Sequence, residues 1–202
     1  MAPRFIAKQL SRPRGPLGVV IRHLMNRHNA RMNAFAVEQL QLEPSDRVLE
    51  IGFGGGVTLR SLLASAASVT GLDRSGDVVA WAKRHFARAI AEGRATFHQG
   101  QIESLPFGLA AFDKVCTVNT IYFWTSLDAG FAEIYRVLKT GGSVVVGFLP
   151  KERMDRMGMP EDIFTTRAPQ DVIGALTKAG FNNVRIERPE RHTPWNVAAA
   201  SR

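Results

Sequence analysis

The chain has 202 residues, of which 26 are Lys or Arg and 18 are Asp or Glu, so its formal net charge is +8. This length and a hydrophobic share of 45% fit one globular domain and exclude a disordered or fibrous chain. The single cysteine, Cys116, excludes an internal disulfide and a multi-cysteine metal site. The first residues contain no apolar stretch like that of a signal peptide, and we expect a cytoplasmic location.

The excess positive charge lies at the N-terminus. Seven Lys or Arg residues precede Glu38, the first acidic residue, whereas the rest of the chain has 19 basic and 18 acidic residues. Apolar residues at helical spacing over 17–27, with Arg22 and Arg27 among them, predict a short amphipathic helix. We therefore expect a basic helical extension over residues 1–41. It serves either as a lid over the functional site or, through residues 1–31, as a dock on an anionic membrane.

The following segments alternate between helix and strand patterns. A helix that packs on the domain is predicted at 29–42, and further helices are predicted at 57–66, 75–92, 126–138 and 169–179. Strands are predicted at 47–51, 68–73, 95–99, 112–118, 143–148, 183–187 and 195–200. Strands that alternate with helices of this length indicate βαβ units and a mostly parallel sheet.

The last two strands are separated only by residues 188–194, which is too short for a parallel crossover, so one of them runs antiparallel. The predicted fold class is α/β for residues 42–202. It is a doubly wound, Rossmann-like sheet of seven strands, mostly parallel, with one antiparallel strand near the C-terminus and the N-terminal helical extension.

A glycine-rich turn, EIGFGGG at 50–56, follows the first strand. Open α/β sheets bind ligands outside the carboxyl ends of their strands, and glycines there let the backbone approach a ligand closely. The dinucleotide fingerprint G-x-G-x-x-G does not fit, because Val57 or Leu59 stands where its last glycine is required. Asp73 ends the second strand, 21 residues after Gly52, where a carboxylate can accept both hydroxyls of a ribose.

Five segments, in order over residues 47–148, resemble the motifs of class I S-adenosylmethionine-dependent methyltransferases. They are VLEIGFGGG (48–56), GLDRS (71–75), HQGQIESLPF (98–107), FDKVCTVNTIYFW (112–124) and EIYRVLKTGGSVVVGF (133–148). The branch it is most similar to comprises small bacterial methyltransferases of small molecules, akin to those of quinone biosynthesis. The resemblance implies S-adenosyl-L-methionine as the cofactor and S-adenosyl-L-homocysteine as the product.

The resemblance also implies roles for individual residues in holding the cofactor. Asp73, with Arg74 beside it, would bind the ribose, and Glu50 would anchor the amino-acid end directly or through water. Gly52 and Gly54 form the turn around the cofactor. The remaining cofactor residues are Gln101 and Ile102 at the adenine, Asn119 and Thr120 at the methionine moiety, and Phe53 or Trp124, whose ring faces could attract the sulfonium.

Methyl transfer is a direct displacement, so the protein mainly aligns the nucleophile with the methyl group and excludes water. A general base is needed only where the nucleophile arrives protonated. The candidates at the reacting end are His28, in the extension, and Tyr122 and Trp124, which are expected to face the substrate while Phe123 packs below.

The expected acceptor is small and partly apolar, and a lipid or quinone reached from a membrane is a second possibility. RNA methylation is a third, but the near-neutral body does not favour it because it carries no basic stripe with interleaved aromatic residues. Binding of the cofactor without catalysis is a fourth.

Overall fold

The computed structural model describes residues 29–202, which fold around one seven-stranded sheet. Its strands are β1 (Arg47–Ile51), β2 (Ser68–Asp73), β3 (Ala95–Gln99), β4 (Phe112–Val118), β5 (Leu138–Phe148), β6 (Asn182–Glu187) and β7 (Asn196–Ser201). Its helices are α1 (Ala30–Gln39), α2 (Val57–Ser65), α3 (Gly76–His85), α4 (Ala87–Ala91), α5 (Leu127–Val137), α6 (Lys151–Arg156) and α7 (Pro169–Lys178). The amphipathic helix predicted at 17–27 lies outside the described residues.

The strand order is β3-β2-β1-β4-β5-β7-β6. All neighbouring pairs are parallel except those of β7, which runs antiparallel to both β5 and β6. The predicted fold class is thereby confirmed, including the single antiparallel strand. Because the chain passes outward from β1 to β3 and then returns to β4 on the other side of β1, the strand order reverses between β1 and β4. The carboxyl ends of these two strands are where such sheets bind ligands.

Helices cover both faces of the sheet, which explains why its inner strands are apolar on both sides. On one face α1, α2 and α3 bury Ala36, Leu59 and Val78 against the sheet. On the other face α5 and α7 bury Phe131 and Leu176. Within residues 29–202, no helix has both the length and the apolar composition needed to cross a bilayer.

Two helix predictions needed correction. The helix predicted over 75–92 is split at Phe86, whose backbone leaves the helical conformation so that its ring packs against Phe97. The segment that follows β5, where no helix was predicted, forms the short helix α6, and Met154 on it is buried. In both places an apolar side chain at the corrected position is buried in the core.

A matched pair of glycine substitutions tests the packing of the sheet. A Cβ on Gly71 in β2 would lie 2.7 Å from Phe97 Cδ1 and 2.9 Å from Phe53 Cδ1, whereas one on Gly174 in α7 meets no atom within 4 Å. We expect Gly71→Ala to lower the free energy of unfolding by about 1–3 kcal/mol, since the two rings must move. Gly174→Ala should raise it by about 1 kcal/mol through helix propensity. Urea unfolding of the two variants measures both changes, and equal stability for Gly71→Ala would contradict the packing described.

Candidate active site

The glycine turn between β1 and α2 lies against the loop that follows β4. Gly52 has a φ of +71°, and a Cβ there would overlap the Cγ2 methyl of Thr120. Only glycine therefore fits this position, on conformational and on steric grounds. The backbone N–H of Gly52 donates to the carbonyl of Leu72 at 2.7 Å, which joins the turn to the end of β2.

Asp73 ends β2 and fixes the turn from the other side. Its Oδ2 accepts the N–H of Gly54 at 3.1 Å, and its Oδ1 accepts the N–H of Ser75 at 2.9 Å. The side chain is 7% exposed and forms part of the wall of a cleft. Its carboxylate is therefore held in one orientation at the position where the sequence predicts ribose binding.

The cleft lies at the carboxyl ends of β1 to β4 and has a volume of about 590 Å³. Its lining residues come from the turns and loops that follow these strands: Ile51, Gly52, Gly54, Leu72, Asp73, Arg74, Gln99, Gly100, Gln101, Ile102, Glu103, Val118, Asn119, Thr120, Phe123, Trp124 and Thr125. Of the residues predicted from the sequence, the structure brings together Gly52, Gly54, Asp73, Arg74, Gln101, Ile102, Asn119, Thr120 and Trp124 in this wall.

Phe53 is not among the lining residues, although it belongs to the glycine turn. Its ring packs on Phe97, with 5.4 Å between ring centroids, and fills the space over Gly71. The prediction that its face meets the cofactor's sulfonium is wrong, because only 4% of the residue is exposed and its ring belongs to the core.

Glu50 lies beneath the turn and outside the cleft wall. It is 4% exposed, and its Oε2 has no hydrogen-bond partner in the described part of the chain. Burial, together with the charge of Asp73, raises the pKa of Glu50 to about 8, although a hydrogen bond with Thr58 opposes this. The expected direct contact with a cofactor does not fit this position. A contact through water stays a prediction.

The loop after β4 is a 3-10 turn over Ile121–Phe123 rather than an extended segment. Tyr122 is buried, and its hydroxyl accepts the N–H of Leu149 and lies 3.2 Å from Asn119 Oδ1. Burial raises its pKa. Phe123 instead lines the cleft. The expectation that Tyr122 faces a substrate and Phe123 packs below it is therefore wrong, because the turn reverses the alternation.

Trp124 belongs to the cleft wall, although most of its ring is buried in the core. Its ring packs on Phe131 at 5.2 Å between centroids. A Cβ on Gly130 would lie 2.7 Å from this ring and 3.2 Å from Ile102 Cγ1, so Trp124 and Ile102 lie side by side over Gly130. Trp124 thus lies beside the predicted adenine residue, and this position does not support a role at the reacting end. His28, the remaining candidate there, lies outside the described residues.

The wall has two further polar residues, Asn119 and Glu103, of which only Asn119 was predicted from the sequence. Asn119 has a φ of +59°, an uncommon value for a residue other than glycine, and its N–H donates to the carbonyl of Gly147. Glu103 was not predicted, and its Oε1 accepts the N–H of Thr125 at 2.7 Å. Its position directly after Ile102 in the third motif is the signal that could have identified it. Within residues 29–202, no cluster of His, Cys, Asp and Glu could hold a metal ion.

Comparisons with known proteins identify the family of this chain. The sequence model of the family described as "Methyltransferase domain" matches residues 49–146. The methyltransferase sll0829 of Synechocystis sp. is 36% identical over 166 residues, which are 77% of this chain and 76% of that protein. The ubiquinone/menaquinone biosynthesis C-methyltransferase UbiE of Geotalea daltonii is 33% identical over 115 residues. This match covers 55% of this chain and about half, 49%, of the relative.

Solved structures show the same fold at lower sequence identity. A chain of the Haloferax volcanii complex between the Trm112 methyltransferase activator and a methyltransferase superposes with a TM-score of 0.74 and 20% identity. The match covers 89% of this chain and 92% of that one.

The buried Glu50 carboxyl makes stability depend on pH. In the unfolded chain this carboxyl ionises near its ordinary pKa of 4.5, whereas in the folded state it keeps its proton up to about pH 8. Between these values the folded state binds one more proton, so the free energy of unfolding falls as pH rises, by about 1.4 kcal/mol per pH unit. Glu50→Gln keeps the shape and cannot ionise, and it should remove this slope.

Urea unfolding of the wild type and of Glu50→Gln at about pH 5.5 and pH 7.5 measures this effect, because other titrating groups cancel in the difference. We expect the variant to gain stability relative to the wild type as pH rises. The same difference at both pH values would contradict a buried, protonated Glu50.

Proposed function

The chain belongs to the class I S-adenosylmethionine-dependent methyltransferases, and from this we propose that it transfers the methyl group by direct displacement to a small, partly apolar acceptor. The observation that carries the proposal is the cleft itself. It combines a fixed carboxylate, Asp73, and the glycine turn at one side with the apolar side chains of Val118 and Phe123 at the other. Alignment of acceptor, methyl group and sulfur in such a cleft can lower the activation barrier by about 7–11 kcal/mol.

We propose that the cofactor's ribose binds at Asp73 and its adenine at Gln101 and Ile102. Its methionine moiety would bind at Asn119 and Thr120. Support comes from the position of these residues in one wall, where Asp73 is already oriented by two backbone N–H groups. Arg74, next to Asp73, would complete the adenosine side. Glu50 would act from beneath the turn, by shaping it or through a water molecule.

The acceptor's chemistry follows from which groups could serve as a base. Among the described lining residues the carboxylates are Asp73 and Glu103, and both accept backbone N–H groups. An acceptor whose nucleophilic atom arrives ionised, or has a low pKa, needs no base. The Geotalea daltonii relative, a quinone-biosynthesis C-methyltransferase, is consistent with a small apolar acceptor of this kind. For an acceptor that arrives protonated, His28 remains the proposed base.

The position of the first turn of α1 supports the proposed lid, which would be formed by the basic segment that precedes this helix. Met32, in the first turn of α1, lies beside Gly147 near the end of β5, and Val118 of the cleft wall contacts the same glycine. The first turn of α1 therefore lies at the carboxyl end of β5, the same edge of the sheet that bears the cleft. The basic segment before this helix is attached where it could cover the cofactor and the acceptor. The alternative is that this segment docks an anionic membrane to reach a lipid or quinone, at about 1 kcal/mol per Lys or Arg at the surface.

Binding of S-adenosyl-L-homocysteine, measured by calorimetry, tests the proposal. We expect micromolar affinity for the intact protein. Asp73→Ala should weaken it about 100-fold, because a charge-assisted contact to the ribose and the support of the turn are both lost. Asp155→Ala, an exposed aspartate on α6 paired with Lys151, is the matched control and should bind normally. An intact protein that binds no S-adenosyl-L-homocysteine would overturn the proposed function.

Removal of residues 1–27 separates the lid from the membrane dock. If the segment is a lid, the shortened chain should lose turnover in an acceptor screen that follows formation of S-adenosyl-L-homocysteine, because water enters the cleft. If it is a membrane dock, the full chain should pellet with anionic liposomes and the shortened chain should not. Equal, negligible pelleting of both would contradict the membrane alternative, and unchanged turnover would contradict the lid.

A further inference from the structure

One peptide unit in the cleft wall is hydrogen bonded on both sides. The N–H of Thr125 donates to Glu103 Oε1 at 2.7 Å, and the carbonyl of Trp124, in the same peptide, accepts from Arg167 Nη2 at 3.0 Å. No described peptide bond is cis, so the N–H and C=O of this unit point in opposite directions. Glu103, which lines the cleft, therefore holds the loop on one side of this peptide, and Arg167 holds it on the opposite side.

A salt bridge does not account for the position of Arg167. None of the ion pairs found in residues 29–202 includes its guanidinium, and its buried Nε has no hydrogen-bond partner there. Burial lowers its pKa, which reflects the cost of keeping this charge away from water. The Trp124 carbonyl is the polar group in the described structure that accepts a hydrogen bond from this side chain.

Arg167 belongs to the segment between β5 and α7, residues 149–168, which we call the post-β5 segment. This segment also donates the N–H of Thr165 to the carbonyl of Tyr122 at 2.9 Å, and it binds the Tyr122 hydroxyl through Leu149. Its apolar residue Phe164 packs 4.9 Å from Phe123 of the cleft wall, between ring centroids. The post-β5 segment thus borders the apolar side of the cleft and contacts the loop after β4 at several points.

We propose that Glu103 and Arg167 are positioning residues that hold the Trp124–Thr125 peptide as a link between the adenosine side of the cleft and the post-β5 segment. This inference rests on the proposed function, in which the cofactor's adenosine contacts Ile102 beside Glu103. A bound cofactor fixes Glu103, and Glu103 then fixes the peptide. Through Arg167 the peptide steadies the post-β5 segment, so that cofactor binding prepares the apolar wall for the acceptor.

A double-mutant cycle on the affinity for S-adenosyl-L-homocysteine tests the shared peptide. Glu103→Ala and Arg167→Gln should each weaken binding about 5–10-fold. Because both side chains act through one peptide, the affinity of the double variant should equal that of whichever single variant binds less tightly. Losses that multiply in the double variant would overturn the proposal. Glu103→Gln keeps an oxygen that can accept the Thr125 N–H and should stay within about twofold of the wild type. A loss as large as that of Glu103→Ala would contradict the hydrogen-bonding role.

Limited trypsin cleavage after Arg153 and Arg156, both exposed on α6, tests the transmission to the post-β5 segment. Saturating S-adenosyl-L-homocysteine should slow this cleavage several-fold in the wild type and in Arg185→Gln, an exposed arginine on β6 that serves as the charge-matched control. Under the same saturation, Arg167→Gln should show no slowing. Equal protection in Arg167→Gln would overturn the link.

Two controls distinguish failure of this inference from misfolding of a variant and from failure of the proposed function. Circular dichroism checks that Arg167→Gln is folded. If it is not, Glu103→Ala replaces it in the protease experiment, since Glu103 is only half-buried, and it too should lose the protection. A wild type that binds no S-adenosyl-L-homocysteine overturns the proposed function and this inference together. Normal wild-type binding with multiplying losses overturns this inference alone.

Discussion

Both oxygens of the Asp73 carboxylate accept backbone N–H groups, one from the glycine turn after β1 and one from Ser75, which precedes α3. This one side chain thereby satisfies donors at two strand-to-helix connections that are far apart in sequence. Gly52 has a left-handed conformation, and the Thr120 methyl occupies the space where a Cβ would stand, so only glycine fits there. The shape of the cleft thus depends on a carboxylate at one side and on a methyl group at the other.

The two acidic residues near the glycine turn do different work, although the sequence places both at strand ends. Asp73 stands in the cleft wall with its oxygens bonded to backbone donors, whereas Glu50 is enclosed below with one oxygen unpaired in the described part of the chain. Because its raised pKa keeps Glu50 protonated at neutral pH, Glu50 adds no negative charge under the cleft. The surroundings of each carboxyl group, rather than the type of acidic residue, distinguish Asp73 from Glu50.

Much of the fold and part of the site follow from local pattern. The predicted bounds of β1, β2, β3 and β4 agree with the structure, since each is a short segment with apolar residues at core positions. The glycine turn and Asp73 were predictable for the same reason, because strand ends in this topology meet at one edge. The directions of the Phe53 and Tyr122 rings were not. The first depends on a gap over Gly71, and the second on a 3-10 turn that no alternation of residues indicates. The contact between Arg167 and Trp124 spans 43 residues and leaves no local trace.

The antiparallel strand β7 has a consequence for the order in which the sheet can be completed. β6 precedes β7 in the chain, yet β7 is its pairing partner and stands between it and β5. During folding β6 therefore has both edges unpaired until β7 has formed beside it. An unpaired strand of this kind is a template for association with another chain. The exposed polar side chains of Asn182, Asn183 and Arg185 on β6 reduce the risk of such association until β7 pairs with β5 and β6.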